Sequence, residues 1–186
     1  MMNEQRPVSW LCAAALLAAL SACGARGDKT SQAPAAPISK ANSLVVPAIT
    51  YGKTSAGYSL SASDDKCDVP SVMRTALRDK LSAPLENLLH EATPVAPDIP
   101  VLKLEITDLL ANAGGIYSGP KMVEIKGTLE QQGQAVASFK ARRASFPLIG
   151  LPRTTCNIVS RATDALAADT VAWLKQPVDG VFLGDR

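Results

Sequence analysis

The sequence predicts an α+β fold: a two-layer sandwich in which an antiparallel sheet of three to four strands is covered on one face by two helices. Three consecutive segments in the middle of the chain repeat their apolar residues every two positions. Two flanking segments repeat them every three to four positions, which is typical of helices. The strand segments place charged residues opposite the apolar ones, as in a sheet with one face in water. The predicted element order is β-α-β-β-β-α.

The first strand and the first helix are predicted between residues 44 and 81. The segment 44–51 (LVVPAITY) is rich in β-branched residues, and Pro47 places it at a sheet edge or interrupts it. Asp68 and Pro70 are typical of a helix start, where Asp68 can cap the free amides. The apolar stripe of this helix recurs every four residues at Val69, Met73, Leu77 and Leu81.

The three alternating segments lie at 101–107 (VLKLEIT), 122–130 (MVEIKGTLE) and 135–146. The last two are separated by 131–134, which contains Gly133 and favours a hairpin turn. The predicted helix over 157–174 carries an apolar stripe that can cover the sheet, formed by Val159, Ala162, Leu166 and Trp173.

The N-terminal segment is expected to be a targeting signal rather than part of the folded domain. Residues 8–20 are almost wholly apolar, but a membrane-spanning helix needs about 20 residues. They are followed by Leu20-Ser21-Ala22-Cys23, which resembles the bacterial lipoprotein box. That resemblance implies that residues 1–22 are a lipoprotein signal peptide and that lipid is attached to Cys23. An uncleaved or conventionally cleaved signal is the alternative.

The resemblance also implies a location. Aspartate after the lipidated cysteine commonly retains such proteins in the inner membrane, and here the residue is Gly24. We therefore expect an outer-membrane lipoprotein facing the periplasm, with residues 23–42 as lipidated cysteine and flexible tether. Residues 43–178 are expected to form one periplasmic domain. Residues 179–186 are expected to be a C-terminal tail, in which Val181 and Phe182 can add a short strand.

The remaining cysteines predict one disulfide. Besides Cys23 and Cys12, which lies in the signal, the chain contains Cys67 and Cys156, in a compartment that oxidises thiols. Each lies just before a predicted helix, so the bond would join two helix N-termini. A reactive thiol is the alternative, because a helix N-terminus lowers the pKa of a thiol.

Most catalytic and nucleic-acid functions are disfavoured by composition. The formal charge is +2, from 19 basic and 17 acidic residues, so no strong field attracts a nucleic acid. The single histidine, His90, cannot by itself support a histidine-based metal centre or a Ser-His triad. We expect no enzymatic activity, no catalytic residue, no metal and no cofactor.

Two features can carry binding. One is a glycine-rich loop that displays an aliphatic and an aromatic side chain, formed by Gly114, Gly115, Ile116, Tyr117 and Gly119. Its alternative is that Ile116 and Tyr117 fold back over the sheet end. The other is a basic cluster formed by Lys126, Lys140, Arg142 and Arg143, which can meet an anionic glycan, a lipid phosphate or an acidic partner. Its alternative is an ordinary solvated face balanced by Glu105, Glu124 and Glu130.

From Val101 to Leu174 the chain resembles small Gram-negative envelope lipoproteins. The matching elements are LEITDL, GGIYSGPK, EIKGTLEQQGQAVASFKARR and TTCNIVSRATDALAADTVAWL. Together with the lipid on Cys23, this resemblance favours a non-catalytic accessory that binds another envelope component. We expect that component to be a protein. A stand-alone lipid or small-ligand binder and an inhibitor or immunity protein against a secreted toxin are the alternatives. The sequence does not fix the oligomeric state.

Overall fold

The computed structural model describes residues 44–81, 99–111, 119–148, 150 and 154–185. The described elements are β1 (Thr50–Tyr51), α1 (Val69–Lys80), β2 (Val101–Leu110), β3 (Lys121–Gln131), β4 (Gln134–Ser145), α2 (Thr155–Lys175) and β5 (Val181–Gly184). No helix in these described ranges is long and apolar enough to cross a bilayer.

The sheet is mixed and five-stranded, in the order β1-β2-β3-β4-β5. Strands β2, β3 and β4 form the predicted antiparallel meander, but β1 and β5 run parallel to their neighbours at the two edges. The prediction of an antiparallel sheet of three to four strands was therefore wrong at both edges. The reason is connectivity: each edge strand is joined to its neighbour through a helix, and a helical crossover links parallel strands.

The hairpin between β3 and β4 has the turn that the sequence predicted. Gln132 and Gly133 have φ of 52° and 74°, so both central residues lie in the left-handed region. That is the requirement of a type I′ turn, whose twist matches that of antiparallel strands. The turn sets the pairing of Gln131 with Gln134, and a register shift between Leu129 and Glu130 then sets the β3–β4 pairing of the open face described below.

The core lies between the sheet and the two helices. All eight residues of the two predicted helical stripes are buried, and they join the apolar residues of β2, β3 and β4 in one cluster. At its centre the rings of Phe139 and Trp173 lie 4.7 Å apart in a tilted arrangement. The ring of Phe139 lies over Gly127, where a Cβ atom would overlap it. The apolar strand face and the helix stripes are therefore paired as expected.

The start of α1 differs from the prediction. Asp68 has a left-handed φ of 50° and its side chain makes no capping hydrogen bond. The buried Asp65 accepts instead from the backbone amides of Val69 (2.6 Å) and Cys67 (2.8 Å). It also accepts from the hydroxyl of Tyr51 at 2.8 Å. Because Asp65 reaches the amides from four residues upstream, the local helix-start pattern did not reveal it.

The predicted disulfide between Cys67 and Cys156 is present. Cys67 lies two residues before α1, and Cys156 is the second residue of α2 rather than a residue preceding it. The side-chain oxygen of Thr154 caps α2 by accepting from the amide of Asn157. The bond thus links the N-terminal ends of two helices that pack against each other.

Candidate functional site

One face of the sheet is covered by the helices, and no described element covers the other, which we call the open face. Because side chains alternate along a strand, every second residue of β2, β3 and β4 lies on the open face, and most of these side chains are charged or carry a hydroxyl group. They are Lys103, Glu105, Glu124, Lys126, Thr128, Ser138, Lys140 and Arg142.

Arg142 is neutralised on this face by a nearly buried carboxylate. Glu124 accepts from Nε of Arg142 at 3.0 Å and from Nη2 at 2.7 Å, both through Oε2. Its Oε1 accepts from Thr107 at 3.1 Å, and only 8% of Glu124 is exposed. A register shift between Ile106 and Asp108 brings Thr107 to this position. With its charge paired in this way, Arg142 is not available as a free cation.

Arg143 is equally engaged, through partners on α2 and in the C-terminal segment. It donates from Nε (2.7 Å) and Nη2 (2.9 Å) to the two oxygens of Asp169 on α2. A third bond of 3.0 Å reaches Asp185, beyond β5. The hydrogen bond to Asp169, assisted by both carboxylate charges, raises the pKa of Arg143 above its already high value. Arg143 therefore ties α2 and the C-terminal segment to β4.

The predicted basic cluster is thus divided. Consecutive residues of a strand point to opposite faces, so Arg142 and Arg143 cannot form one patch. Lys126 and Lys140 are brought together instead, because they lie directly opposite each other on β3 and β4. Both are exposed, and neither takes part in an ion pair within the described part of the chain.

The other predicted binding feature falls largely outside the described residues. The structure does not describe Gly114, Gly115, Ile116 and Tyr117. It does describe Gly119, which has a φ of 73°. The loop and its alternative reading stay predictions.

A pocket on the open face lies beside the lysine pair. It has a volume of about 260 Å³ and is lined by Lys126, Ser138, Phe139, Lys140, Gly180, Val181 and Phe182. Phe182 comes from β5, where it lies opposite Lys140. The C-terminal segment that the sequence analysis assigned to a tail therefore supplies one wall of this pocket.

A second cavity, of about 380 Å³, lies between the outer sides of α1 and α2. It is lined by two carboxylates, Asp79 and Asp164, but both residues are exposed, and Asp164 pairs with Lys80 at 2.7 Å. A general acid needs burial or a close like charge to keep its proton near neutral pH. The described residues also contain no group of three or more His, Cys, Asp or Glu side chains arranged to hold a metal. Neither observation supports an acid–base pair in this cavity.

Two buried polar residues were missed by sequence reasoning. Lys121 is fully buried at the start of β3, although its charge placed it outside the predicted strand. The signal was its position, since it continues the alternation of Val123 and Ile125. Asp65 was the other, and its bond to Tyr51 combines with burial to raise the pKa of that tyrosine well above 10.0. Burial makes the larger contribution to this shift.

No protein-family model and no curated protein matches the chain. The solved structures similar to it include lipoproteins. A PelC dodecamer from Paraburkholderia phytofirmans is 16% identical, with a TM-score of 0.44 over 73% of this chain and 89% of that one. A minor lipoprotein from Acinetobacter baumannii is 12% identical, with a TM-score of 0.38 over 72% of this chain and 92% of that one. An uncharacterised protein is 14% identical, with a TM-score of 0.45 over 70% and 91%.

The Acinetobacter baumannii structure is of a lipoprotein, the class of protein that this sequence resembles.

Proposed function

We propose that this protein is a lipid-anchored lipoprotein of the outer membrane, and that it binds another component of the cell envelope through the open face without catalysing a reaction. Lipid on Cys23 and a flexible tether over residues 23–42 hold one periplasmic domain, residues 43–178, at the membrane. The C-terminal residues contribute β5 to the same sheet and so belong with this domain.

The observation that carries the proposal is the lysine pair on the open face, Lys126 and Lys140, which makes no ion pair with any described residue. Like charges directly opposite each other on neighbouring strands destabilise a sheet. Two other cations of this face are paired, Arg142 with Glu124 and Lys103 with Glu130, each at 2.7 Å. A stability argument accounts for those pairs but not for Lys126 and Lys140, whereas binding of an anionic partner accounts for both lysines.

The layer between helices and sheet supports a surface role over an internal one. Phe139, Trp173 and Met73 belong to the buried cluster that fills this layer in the described part of the chain, and the two pockets described above open to the surface. A protein that encloses a lipid needs a large apolar cavity there. The described cavities favour recognition at the surface.

Site-specific photocrosslinking in cells tests the proposal. A photoreactive residue at Thr128, on the open face beside the lysines, is compared with one at Ala168, an exposed position on α2. We expect a discrete adduct with an envelope component from Thr128 and none from Ala168. Equal adducts from the two positions, or an adduct from Ala168 alone, would overturn the assignment of the open face.

The anchor is tested separately by Cys23→Ala. Loss of the lipid should release the chain from the membrane fraction. Continued retention of the variant in washed membranes would contradict anchoring at Cys23.

A further inference from the structure

The lysine pair is not neutralised by the carboxylate that is best placed to do so, that of Glu105, because this carboxylate lies elsewhere. Glu105 is the register partner of Lys126 on the β2 side, as Lys140 is on the β4 side. The carboxylate of Glu105 lies over Gly52, where a Cβ atom would overlap it. The lack of a side chain at Gly52 therefore gives Glu105 a place next to β1, away from the lysines.

The pocket beside the lysines has one apolar wall and one polar wall. Phe182 of β5 lies opposite Lys140, and Ser138 lies two residues before Lys140 on β4. Ser138 donates to the exposed carboxylate of Asp179 at 2.8 Å. Asp179 is thus an acidic group at the rim, and its repulsion of a bound anion is stronger the closer the two charges lie.

The size of the pocket limits what it can hold. Pockets for drug-sized ligands measure about 300–1,000 Å³. The lysine pocket, at about 260 Å³, fits a headgroup or a single sugar ring rather than an acyl chain. Two ammonium groups on facing strands offer several donors to one group with several oxygens, which describes a phosphate better than a single carboxylate.

We infer that the pocket formed by Lys126, Lys140 and Phe182 binds a phosphoryl group whose carrier, a sugar ring or a lipid headgroup, rests against the phenyl ring. The inference rests on the proposed function and names the chemistry of the component that the open face recognises. Lys126 and Lys140 contact the phosphate oxygens, and Phe182 contacts the carrier. Ser138 lines the side nearest Asp179.

Calorimetric titration of the full-length lipidated protein in neutral detergent tests this site. The probes are glucose 1-phosphate, glycerol 1-phosphate, glucose and glucuronate at low ionic strength. Both phosphates should bind, and glucose should not. A preference for glucose 1-phosphate would identify the source as a glycan phosphate, and a preference for glycerol 1-phosphate would identify it as a lipid headgroup. Binding of glucuronate without binding of either phosphate would overturn the phosphoryl assignment.

Two double variants separate the site from general charge. Lys126→Gln with Lys140→Gln should weaken phosphate binding at least about tenfold, because charge-assisted hydrogen bonds are lost. Lys66→Gln with Lys175→Gln removes the same charge from exposed positions that do not line the pocket and should leave the affinity unchanged. Equal weakening in both variants would mean that only net charge matters. The lysine variant should melt no lower than the wild type, since a like-charge pair is removed.

Asp179→Asn provides a test in the opposite direction. It removes a negative charge from the rim while keeping an oxygen that can accept from Ser138, so phosphate affinity should rise several-fold. An unchanged or weaker affinity would place the bound anion elsewhere. If phosphate fails to bind while the Thr128 adduct persists, the phosphoryl inference fails and the proposed function stands. If phosphate binds while no adduct forms at Thr128, the proposed binding of an envelope component fails.

Discussion

Removal of the disulfide should cost a large part of the stability of the domain. The bond between Cys67 and Cys156 closes a loop with a sequence separation of 89. In the chain-entropy model a crosslink over about 90 residues restricts the unfolded chain by about 4–5 kcal/mol. Domains are typically stable by about 5–15 kcal/mol in total. The double variant Cys67→Ser/Cys156→Ser should therefore lose at least about a quarter of its free energy of unfolding.

The structure allows the entropic cost to be measured with little interference from packing. Cys156 is exposed and Cys67 is half-buried, so the serine substitutions remove little apolar area. The two helices still meet along their length without the bond. A loss of about 4–5 kcal/mol corresponds to a fall in melting temperature of about 10–20 °C for a domain of this size.

Thermal and urea unfolding followed by circular dichroism provide the assay. We expect the oxidised wild type to be the most stable, and the reduced wild type to coincide with the double variant. A single Cys67→Ser variant should match them, since either substitution opens the loop. A difference of less than about 1 kcal/mol between oxidised and reduced protein would refute the reasoning, because the unfolded chain would then gain little freedom from reduction.

Three further substitutions test individual contacts. Gly127→Ala should destabilise by about 1–3 kcal/mol in urea unfolding, since its methyl group meets the ring of Phe139; a neutral effect would show that the ring can move aside. Tyr51→Phe should lose about 1 kcal/mol at neutral pH with its bond to Asp65. Above pH of about 10 the wild type should lose stability relative to this variant, because the raised pKa keeps the folded tyrosine protonated while the unfolded one ionises; parallel pH curves would contradict this. Glu124→Gln should cost about 1–3 kcal/mol by weakening the hold on its arginine partner, and an unchanged urea midpoint would mean that solvent replaces that contact.

The centre of the fold could be predicted because its signals are local. The alternation in β2, β3 and β4, the turn at Gly133 and the helix stripes each depend on residues close in sequence. Strands were expected in both edge segments, but the direction of the edge strands was mispredicted; β1 has two residues and β5 has four, too few for a period to be visible. Their pairing depends on crossovers through helices, a relation between distant segments.

The candidate site shows the same division. Strand alternation was enough to place Lys126 and Lys140 on one face, and the same rule separates Arg142 from Arg143. The bond of Thr107 to Glu124 depends on a register shift in β2, and the orientation of Glu105 depends on Gly52, which follows β1. Such side-chain positions follow from contacts between segments far apart in sequence, which no local pattern records.

The most direct test of the central claim combines the two parts of the open face in one measurement. The yield of the Thr128 photoadduct is measured in cells carrying Lys126→Gln/Lys140→Gln and in cells carrying Lys66→Gln/Lys175→Gln, at equal protein levels. If the lysine pair holds the envelope component, the adduct should be lost in the first background and retained in the second. An adduct of equal yield in both backgrounds would contradict recognition through the lysine pair.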